Sequence, residues 1–270
     1  MKDTLSVGMI GGGQMGEALI RGMIESEVTA AENITIAEPM VRRREYLEST
    51  YQITAVETAA EVTEKSRAVI LAIKPQIMEP VLRQYCVHLT DDHLLISIAA
   101  GIPLAYIEQI VGSNMRVIRV MSNTPALVLA GASAMSGNEN IRQEDMEIAQ
   151  QIFSAVGTCI ELPENLLDAV TGLSGSGPGY VFTFLEAMID GGVLAGLPRP
   201  VAEQLALQTL YGSAKLALET REPAAVLKGK VTSPGGTTIT GIQALEEGGL
   251  RGTIMTAVEA ATERSKSLGQ

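Results

Sequence analysis

The chain has little of what metal, thiol or imidazole chemistry is usually built from. Its two cysteines, Cys86 and Cys159, stand apart with no CxxC spacing and no ligand-like neighbour. That argues against a disulfide framework or a metal site and for free thiols in a reducing compartment. The two histidines, His88 and His93, share one polar stretch, and no lysine occurs between Lys74 and Lys215. An enzyme that removes a proton from a hydroxyl needs such a base beside the reacting carbon, and no obvious one is offered. Clustered positive charge is scarce too: the formal charge is -11 and Arg42-Arg43-Arg44 is the one basic run. Neither a nucleic acid backbone nor an anionic membrane surface suits such a chain. No apolar run is long and clean enough to span a bilayer, because the longest candidates carry Gly, Pro, Asn or Ser. The opening MKDTLSV sets an acid straight after its lysine and reads poorly as a signal segment, so a cytoplasmic location is expected.

What the chain does have is ample core material, 46% hydrophobic residues in 270, enough for one large domain or two ordinary ones. The stretch LSVGMIGGGQMGEALIRGMI reads as strand, tight turn and helix. Gly11, Gly13 and Gly16 fit the dinucleotide fingerprint: a sharp turn, close approach of a pyrophosphate, and close packing of helix on strand. Met15, Ala18, Leu19, Gly22 and Met23 then recur with helical spacing, so the helix N-terminus points back at the glycines as an anion site. A second apolar run ends at Glu38, close to where a ribose-reading acid belongs.

Up to about residue 163 short apolar runs alternate with helical ones. Strands are expected at residues 5–10, 34–37, 68–73, 94–99, 116–121, 132–135 and 158–162, with helices at 40–50, 76–85, 104–111 and 142–156. This alternation implies right-handed crossovers and a Rossmann-type, doubly wound, mainly parallel sheet over residues 1–163. Ligands of such sheets sit off the carboxyl ends of the strands. There lie Ala72-Ile73-Lys74-Pro75, Ala99-Ala100-Gly101 and Met121-Ser122-Asn123-Thr124-Pro125. The histidines fall at the opposite end. Residues 164–270 read as helices alone, at 166–172, 178–194, 201–218, 223–229, 238–247 and 250–268. The helix at 178–194 is apolar nearly all round. It needs more cover than this half supplies, so a second subunit is expected to provide part of it.

Two glycine-rich segments interrupt the helical half, GLSGSGPGY around Ser176 and VTSPGGTT around Gly235 and Gly236, and each leads into a helix. Bare N–H groups and hydroxyls at a helix start make a pocket for a carboxylate or phosphate, although Ser and Gly also serve as plain caps and turns. Two such segments attached to a nucleotide-binding half point to a small anionic substrate. With no base at hand, a substrate arriving as a protonated imine would need only anchoring and a hydride placed at its carbon.

The segments IGGGQMGEAL, AIKP, AAG, RVMSNTPALV, DAVTGLSGSGPGY and VTSPGGTT, in that order and spacing, resemble pyrroline-5-carboxylate reductase along essentially the whole chain. The resemblance implies a Rossmann domain and a helical C-terminal dimerisation domain with interleaved subunits. It also implies reduction of 1-pyrroline-5-carboxylate, a cyclic imino acid, to L-proline by NADH or NADPH, with no metal. Carried over by position, it puts the cofactor pyrophosphate on Gly11, Gly12, Gly13, Gln14 and Met15, with the ribose and nicotinamide near Ala72, Ile73, Lys74, Pro75 and Ala100. It puts the substrate carboxylate on Ser233, Gly235, Gly236, Thr237 and Thr238, with Glu164 and Ser176 nearby. The Thr238 hydroxyl would meet the ring nitrogen as the catalytic group. Two positions depart from the family's pattern: Lys230, where some relatives have Asn, and Glu38, where users of NADPH tend to have a small polar residue. Glu38 favours NADH or dual use, whereas the three arginines after it favour NADPH. A homodimer, or a larger assembly built from it, is expected. Two other readings stay open: a hydroxyacid dehydrogenase of the same plan, which would carry a lysine near the start of its long helix, and a non-catalytic nucleotide-binding protein.

Overall fold

The computed structural model describes residues 5–268. Residues 1–4, on which the expectation of no signal segment partly rests, lie outside the described residues. The chain forms two compact units. The first comprises residues up to 176 together with those from 259 on, and the second is Gly177–Val258.

The first unit is built on an eight-stranded sheet. Its strands are β1 (Val7–Ile10), β2 (Ile34–Ala37), β3 (Thr54–Val56), β4 (Ala68–Leu71), β5 (Leu94–Ser97), β6 (Arg116–Met121), β7 (Gly131–Gly137) and β8 (Gly157–Glu161). Their order is β3-β2-β1-β4-β5-β6-β7-β8. All neighbours run parallel except β6 and β7. The chain therefore starts in the middle, winds to one edge through β2 and β3, and returns to β4 beside β1, so the winding reverses between β1 and β4.

Every residue of β1, β2, β4 and β5 is buried, as expected of parallel strands covered by helices on both sides. Alternate residues serve two separate cores. Val7, Met9, Ile34, Ile36, Ile70 and Ile96 join one cluster with Leu19, Ile20, Met23, Leu47, Ile152 and Phe153. These come from α1 (Gln14–Glu25), α2 (Val41–Tyr51) and, later in the chain, α6 (Gln143–Ser154). Ile10, Ala37, Val69, Leu71 and Leu95 join the other with Val62, Met78, Leu82 and Ile107. These side chains come from α3 (Ala60–Lys65), α4 (Met78–Tyr85) and α5 (Leu104–Val111).

Several elements differ from the sequence expectation. β3 and α3 were not expected. β3 is a three-residue edge strand and α3 a single six-residue helix, both too short to show a period. β4 stops at Leu71 and β5 at Ser97, before the ends expected at 73 and 99, because the chain turns away there. Beyond α7 (Leu167–Val170) the helix expected to reach 172 continues as a π-helical turn, Thr171–Gly175.

The second unit contains α8 (Gly177–Leu194), α9 (Arg199–Thr220), α10 (Ala224–Lys230), α11 (Thr237–Glu247) and the first half of α12 (Leu250–Leu268). α8 and α9 pack as a hairpin, close enough that a Cβ on Gly192 would meet Ala202 Cβ at 3.1 Å. No residue of α8 is buried, and Val181, Phe182, Leu205 and Tyr211 are all exposed. Among the described residues no helix is long and apolar enough to cross a membrane.

One ion pair fixes the far side of the sheet. Arg116 opens β6, and its Nη1 lies 2.6 Å from Asp145 Oδ1, both side chains buried. The same guanidinium donates to the carbonyls of Asp91 and Asp92, and Asp145 Oδ2 accepts the Arg142 N–H at the start of α6. Removing one partner strands the other without water. Asp145→Ala should therefore cost about 3–5 kcal/mol in urea unfolding. A loss within 1 kcal/mol, roughly the value of an exposed pair, would show that the pair is not isolated from solvent.

Candidate active site

The turn after β1 is set by close approach. Gly11 has φ +106° and donates its N–H to Ala37 O at 2.9 Å. A Cβ at position 11 would sit 2.4 Å from the Ala72 carbonyl oxygen. Gly16, one turn into α1, is as constrained, since a Cβ there would come within 2.6 Å of Gly11 O. These two glycines lock strand, turn and helix together. Gly13 does something else: it is the N-cap of α1 with no side-chain cap, and nothing lies within 4 Å of where its Cβ would be. The open space over bare N–H groups at a helix start fits a pyrophosphate, in both shape and sign.

Around this turn the structure gathers the residues expected to hold a cofactor. Ala72 N–H donates to Ile10 O at 2.8 Å, so the loop through Ile73, Lys74 and Pro75 starts beside the glycines. Ala100 follows β5, the next strand along, and is exposed, as is Lys74. The Ser122 hydroxyl at the end of β6 lies 3.8 Å from Met15 Sδ. Glu38 is buried, with Oε2 accepting the Gly12 N–H at 3.0 Å and Oε1 the Met40 N–H at 2.9 Å. A carboxylate has about four acceptor positions, so both oxygens retain one for a hydroxyl.

Two of the arginines expected to favour NADPH are bonded to the protein itself. Arg43 Nε donates to Gly12 O at 2.6 Å, and its Nη2 lies 2.5 Å from Glu17 Oε2. Glu17 Oε1 accepts the hydroxyls of Tyr46 and Tyr51 at 2.8 and 2.9 Å. Burial alone would raise the Glu17 carboxyl, but hydrogen bonds from Arg43, Tyr46 and Tyr51 outweigh it and hold it below its ordinary value. Burial, and then the bond to Glu17, push the Tyr51 phenol up to about 12. Arg44 donates to the Glu38 and Pro39 carbonyls. Arg42 is exposed.

The residues expected at the substrate divide between the two units. In the first, Glu164 Oε1 accepts the Leu104 N–H at 2.7 Å and pairs with Arg119 Nη1 at 3.1 Å. Arg119, buried on β6, also lies 3.8 Å from Asp168, which accepts the Ser265 hydroxyl at 2.7 Å. Arg119 looked from sequence like one more strand residue, and only the fold reveals its partners. Ser176 closes the π-helical turn by donating its N–H to Thr171 O at 2.8 Å. That turn lies tight against β6, for a Cβ on Gly175 would meet Met121 Cε at 2.3 Å. Asn123 Nδ2, on the loop after β6, donates to Ser174 O at 3.0 Å.

In the second unit, Ser233-Pro234-Gly235-Gly236 forms a tight turn closed by Gly236 N–H to Ser233 O at 3.0 Å. Pro234 and Gly235, with φ +66°, fill the two central positions as a type II turn requires. Gly236 is the N-cap of α11. The Gly236 N–H is thus spent on the turn, but those of Thr237 and Thr238 head the helix without intrahelical partners. Both threonines are exposed. Lys230, a departure from the family's pattern, pairs with Glu222 at 2.6 Å. Among the described residues no group of three or more His, Cys, Asp or Glu could hold a metal ion. Burial pushes the Cys159 thiol up to about 11.

Residues 164–268 match the family model described as pyrroline-5-carboxylate reductase dimerisation. Residues 6–101 match the one described as NADP oxidoreductase, coenzyme F420-dependent. A pyrroline-5-carboxylate reductase of Synechocystis sp. is 46% identical over 267 residues, covering 99% of this chain and 99% of that one. The solved structure of a pyrroline-5-carboxylate reductase from Coxiella burnetii matches with a TM-score of 0.95 at 32% identity, covering 99% of this chain and 100% of that one. That of Plasmodium falciparum pyrroline carboxylate reductase, with NADP bound, matches with a TM-score of 0.89 at 34% identity and covers 100% of both chains. Identity at this level from end to end, with the glycine turn and the turn at Ser233 both in place, means that the chain belongs to the pyrroline-5-carboxylate reductase family.

Proposed function

We propose that the protein reduces the C=N bond of 1-pyrroline-5-carboxylate to give L-proline, the last step of proline synthesis, in the cytoplasm. The observation that carries this reading is the head of α11. It offers free N–H groups and threonine hydroxyls for a carboxylate, in a chain whose glycine turn suits a dinucleotide and whose histidines lie elsewhere. His93 directly precedes β5, and its Nε2 is 2.9 Å from Thr63 O, at the amino end of the sheet and away from the turn. A hydroxyacid dehydrogenase of the same plan would carry its lysine near the start of the long helix, and α8 contains none.

In this reading residues 1–163 bind the dinucleotide and residues 164–270 bind substrate and a second subunit. Gly11, Gly12, Gly13, Gln14 and Met15 present N–H groups to the pyrophosphate. Glu38 accepts the adenosine ribose hydroxyls, and Ala72, Ile73, Lys74, Pro75 and Ala100 line the path to the nicotinamide. A bound reduced nicotinamide supplies the hydride. Ser233, Gly235, Gly236, Thr237 and Thr238 anchor the substrate carboxylate, and Glu164 and Ser176 are the other residues assigned to the substrate. The Thr238 hydroxyl meets the ring nitrogen: it donates to a neutral imine, and its oxygen accepts the ring N–H of one that arrives protonated. No strong acid is required, because the imine can arrive protonated.

The reading is tested by oxidation of reduced nicotinamide with pyrroline-5-carboxylate, set against a hydroxyacid run in reverse. Absence of imine turnover with either cofactor would refute it. Within that assay, Gly236→Val should raise the KM for the imine while leaving nucleotide affinity nearly intact, since a Cβ there meets Ser233 Oγ at 2.3 Å. Thr238→Ala should lower kcat by about tenfold to a thousandfold. An unchanged imine KM in the first or full activity in the second would remove that residue's role.

The protein acts as a homodimer, or an assembly built from it, in which a partner covers the apolar sides of α8 and α9. The exposure of Val181, Phe182, Leu205 and Tyr211 supports this, as an uncovered patch of that kind marks an interface. Solution scattering should show at least a dimer. An active monomer at assay concentration would contradict it.

NADH is preferred, or both cofactors are used. Glu38 lies buried at the turn with an acceptor position free on each oxygen, and its charge would repel a 2′-phosphate. Two of the three arginines are already engaged with the turn and with the Glu38 carbonyl. Glu38→Ser should move the ratio of kcat/KM towards NADPH. A wild type that strongly prefers NADPH, with no change in the variant, would show that Glu38 does not read the ribose.

A further inference from the structure

Arg43 and Glu38 grip the same residue from two sides. Glu38 accepts the Gly12 N–H, and Arg43 donates to the Gly12 carbonyl. The guanidinium therefore sits on the same turn that the carboxylate assigned to the adenosine ribose holds. Yet it is turned to a different anion. Its Nη2 meets Glu17 Oε2 at 2.5 Å and reaches Gly13 O at 3.4 Å, and its carbon lies 5.0 Å from the centre of the Tyr46 ring. Glu17 is itself fixed by the hydroxyls of Tyr46 and Tyr51. Both partners of the pair are largely shielded, with side-chain exposures of 26% and 22%, so the pair is worth more than one in open water.

As the acid in the first turn of α1, Glu17 suits the helix start, but it is no part of the face that α1 buries. The helix packs through Gly16, Ala18, Leu19, Ile20, Gly22 and Met23. Glu17 lies off that face and makes its side-chain contacts with Arg43, Tyr46 and Tyr51 of α2.

We propose that Glu17 is a specificity-determining residue for the cofactor: by holding Arg43 against the glycine turn it withholds that guanidinium from the 2′-phosphate of NADPH. The inference rests on the cofactor reading above and deepens it. Arg43 in this state is a positioning residue. It orients the Gly12 and Gly13 peptides for either nucleotide and reads neither, while Glu17 adds a second negative charge near the place of the extra phosphate. Freed from Glu17, the same side chain could pair bidentately with that phosphate.

The test is equilibrium binding of NADH and of NADPH, followed by nicotinamide fluorescence without imine. It compares wild type, Glu17→Gln, Arg43→Ala and the double variant. Glu17→Gln should tighten NADPH about tenfold, the size of one charge-assisted hydrogen bond, and leave NADH within about twofold. Arg43→Ala alone should weaken both nucleotides by the same factor, and in the double variant it should abolish the gain for NADPH. Parallel changes of both nucleotides in Glu17→Gln would overturn the proposal, as would a gain that survives loss of Arg43. So would a selective loss of NADPH in Arg43→Ala, which would mean that Arg43 already reads the phosphate; this arm holds even if Glu17→Gln does not fold. If Glu38→Ser shifts the preference and Glu17→Gln does not, this inference fails and the cofactor reading stands. If the wild type binds neither nucleotide, both fail.

Discussion

The carbonyl oxygen of Ala72 stands 2.4 Å from where a side chain at position 11 would begin, and much of the first unit depends on that approach. It brings the end of β4 against the end of β1 at the point where the winding of the sheet reverses. Gly11 has the positive φ that turns the chain out of the sheet and into α1. Gly16 then lets α1 lie back on the turn. The helix start is thus aimed over the strand ends, and Gly13 is left bare above it. A Cβ at position 11 or 16 would push strand and helix apart before it touched any ligand.

From that turn outward, one can follow which side chains are committed and which are free. The Glu38 carboxylate holds the Gly12 N–H and the Met40 N–H, Arg43 holds the Gly12 carbonyl, and Arg44 holds the carbonyl of Glu38. The turn after β1 is therefore organised by a small charged network whose members come from the residues that follow β2 and from α2. The turn at Ser233 and the head of α11 offer dipoles and hydroxyls, which suit a carboxylate whose ring nitrogen already carries a proton.

The elements legible in the sequence were those with a strong local signal. Glycine spacing marked the β1 turn, a clean apolar run marked β2, and α5 begins and ends where its helical period does. The turn at Ser233 could be read because Pro and two glycines permit few other conformations. β3 was invisible because three half-exposed residues carry no alternation, and its place in the sheet depends on β2 beside it. The site was legible in its backbone and much less so in its side chains. Glu17 and Arg43 are 26 residues apart, and Arg119 and Glu164 are 45 apart, distances over which no periodicity speaks. Which partner each residue of the run Arg42-Arg43-Arg44 takes could not be read from the run itself. The helix points its members different ways, so that Arg43 reaches the glycine turn, Arg44 reaches the Glu38 carbonyl and Arg42 faces solvent.

The central claim is that the bare helix start beyond Gly13 holds a dinucleotide with its adenosine ribose on Glu38. A crystal structure of the protein with NADH bound tests this most directly. The account predicts pyrophosphate oxygens within hydrogen-bond reach of the N–H groups from Gly13 to Met15, and ribose hydroxyls on the Glu38 carboxylate. A nucleotide bound elsewhere, or one bound at the turn with its ribose clear of Glu38, would contradict it.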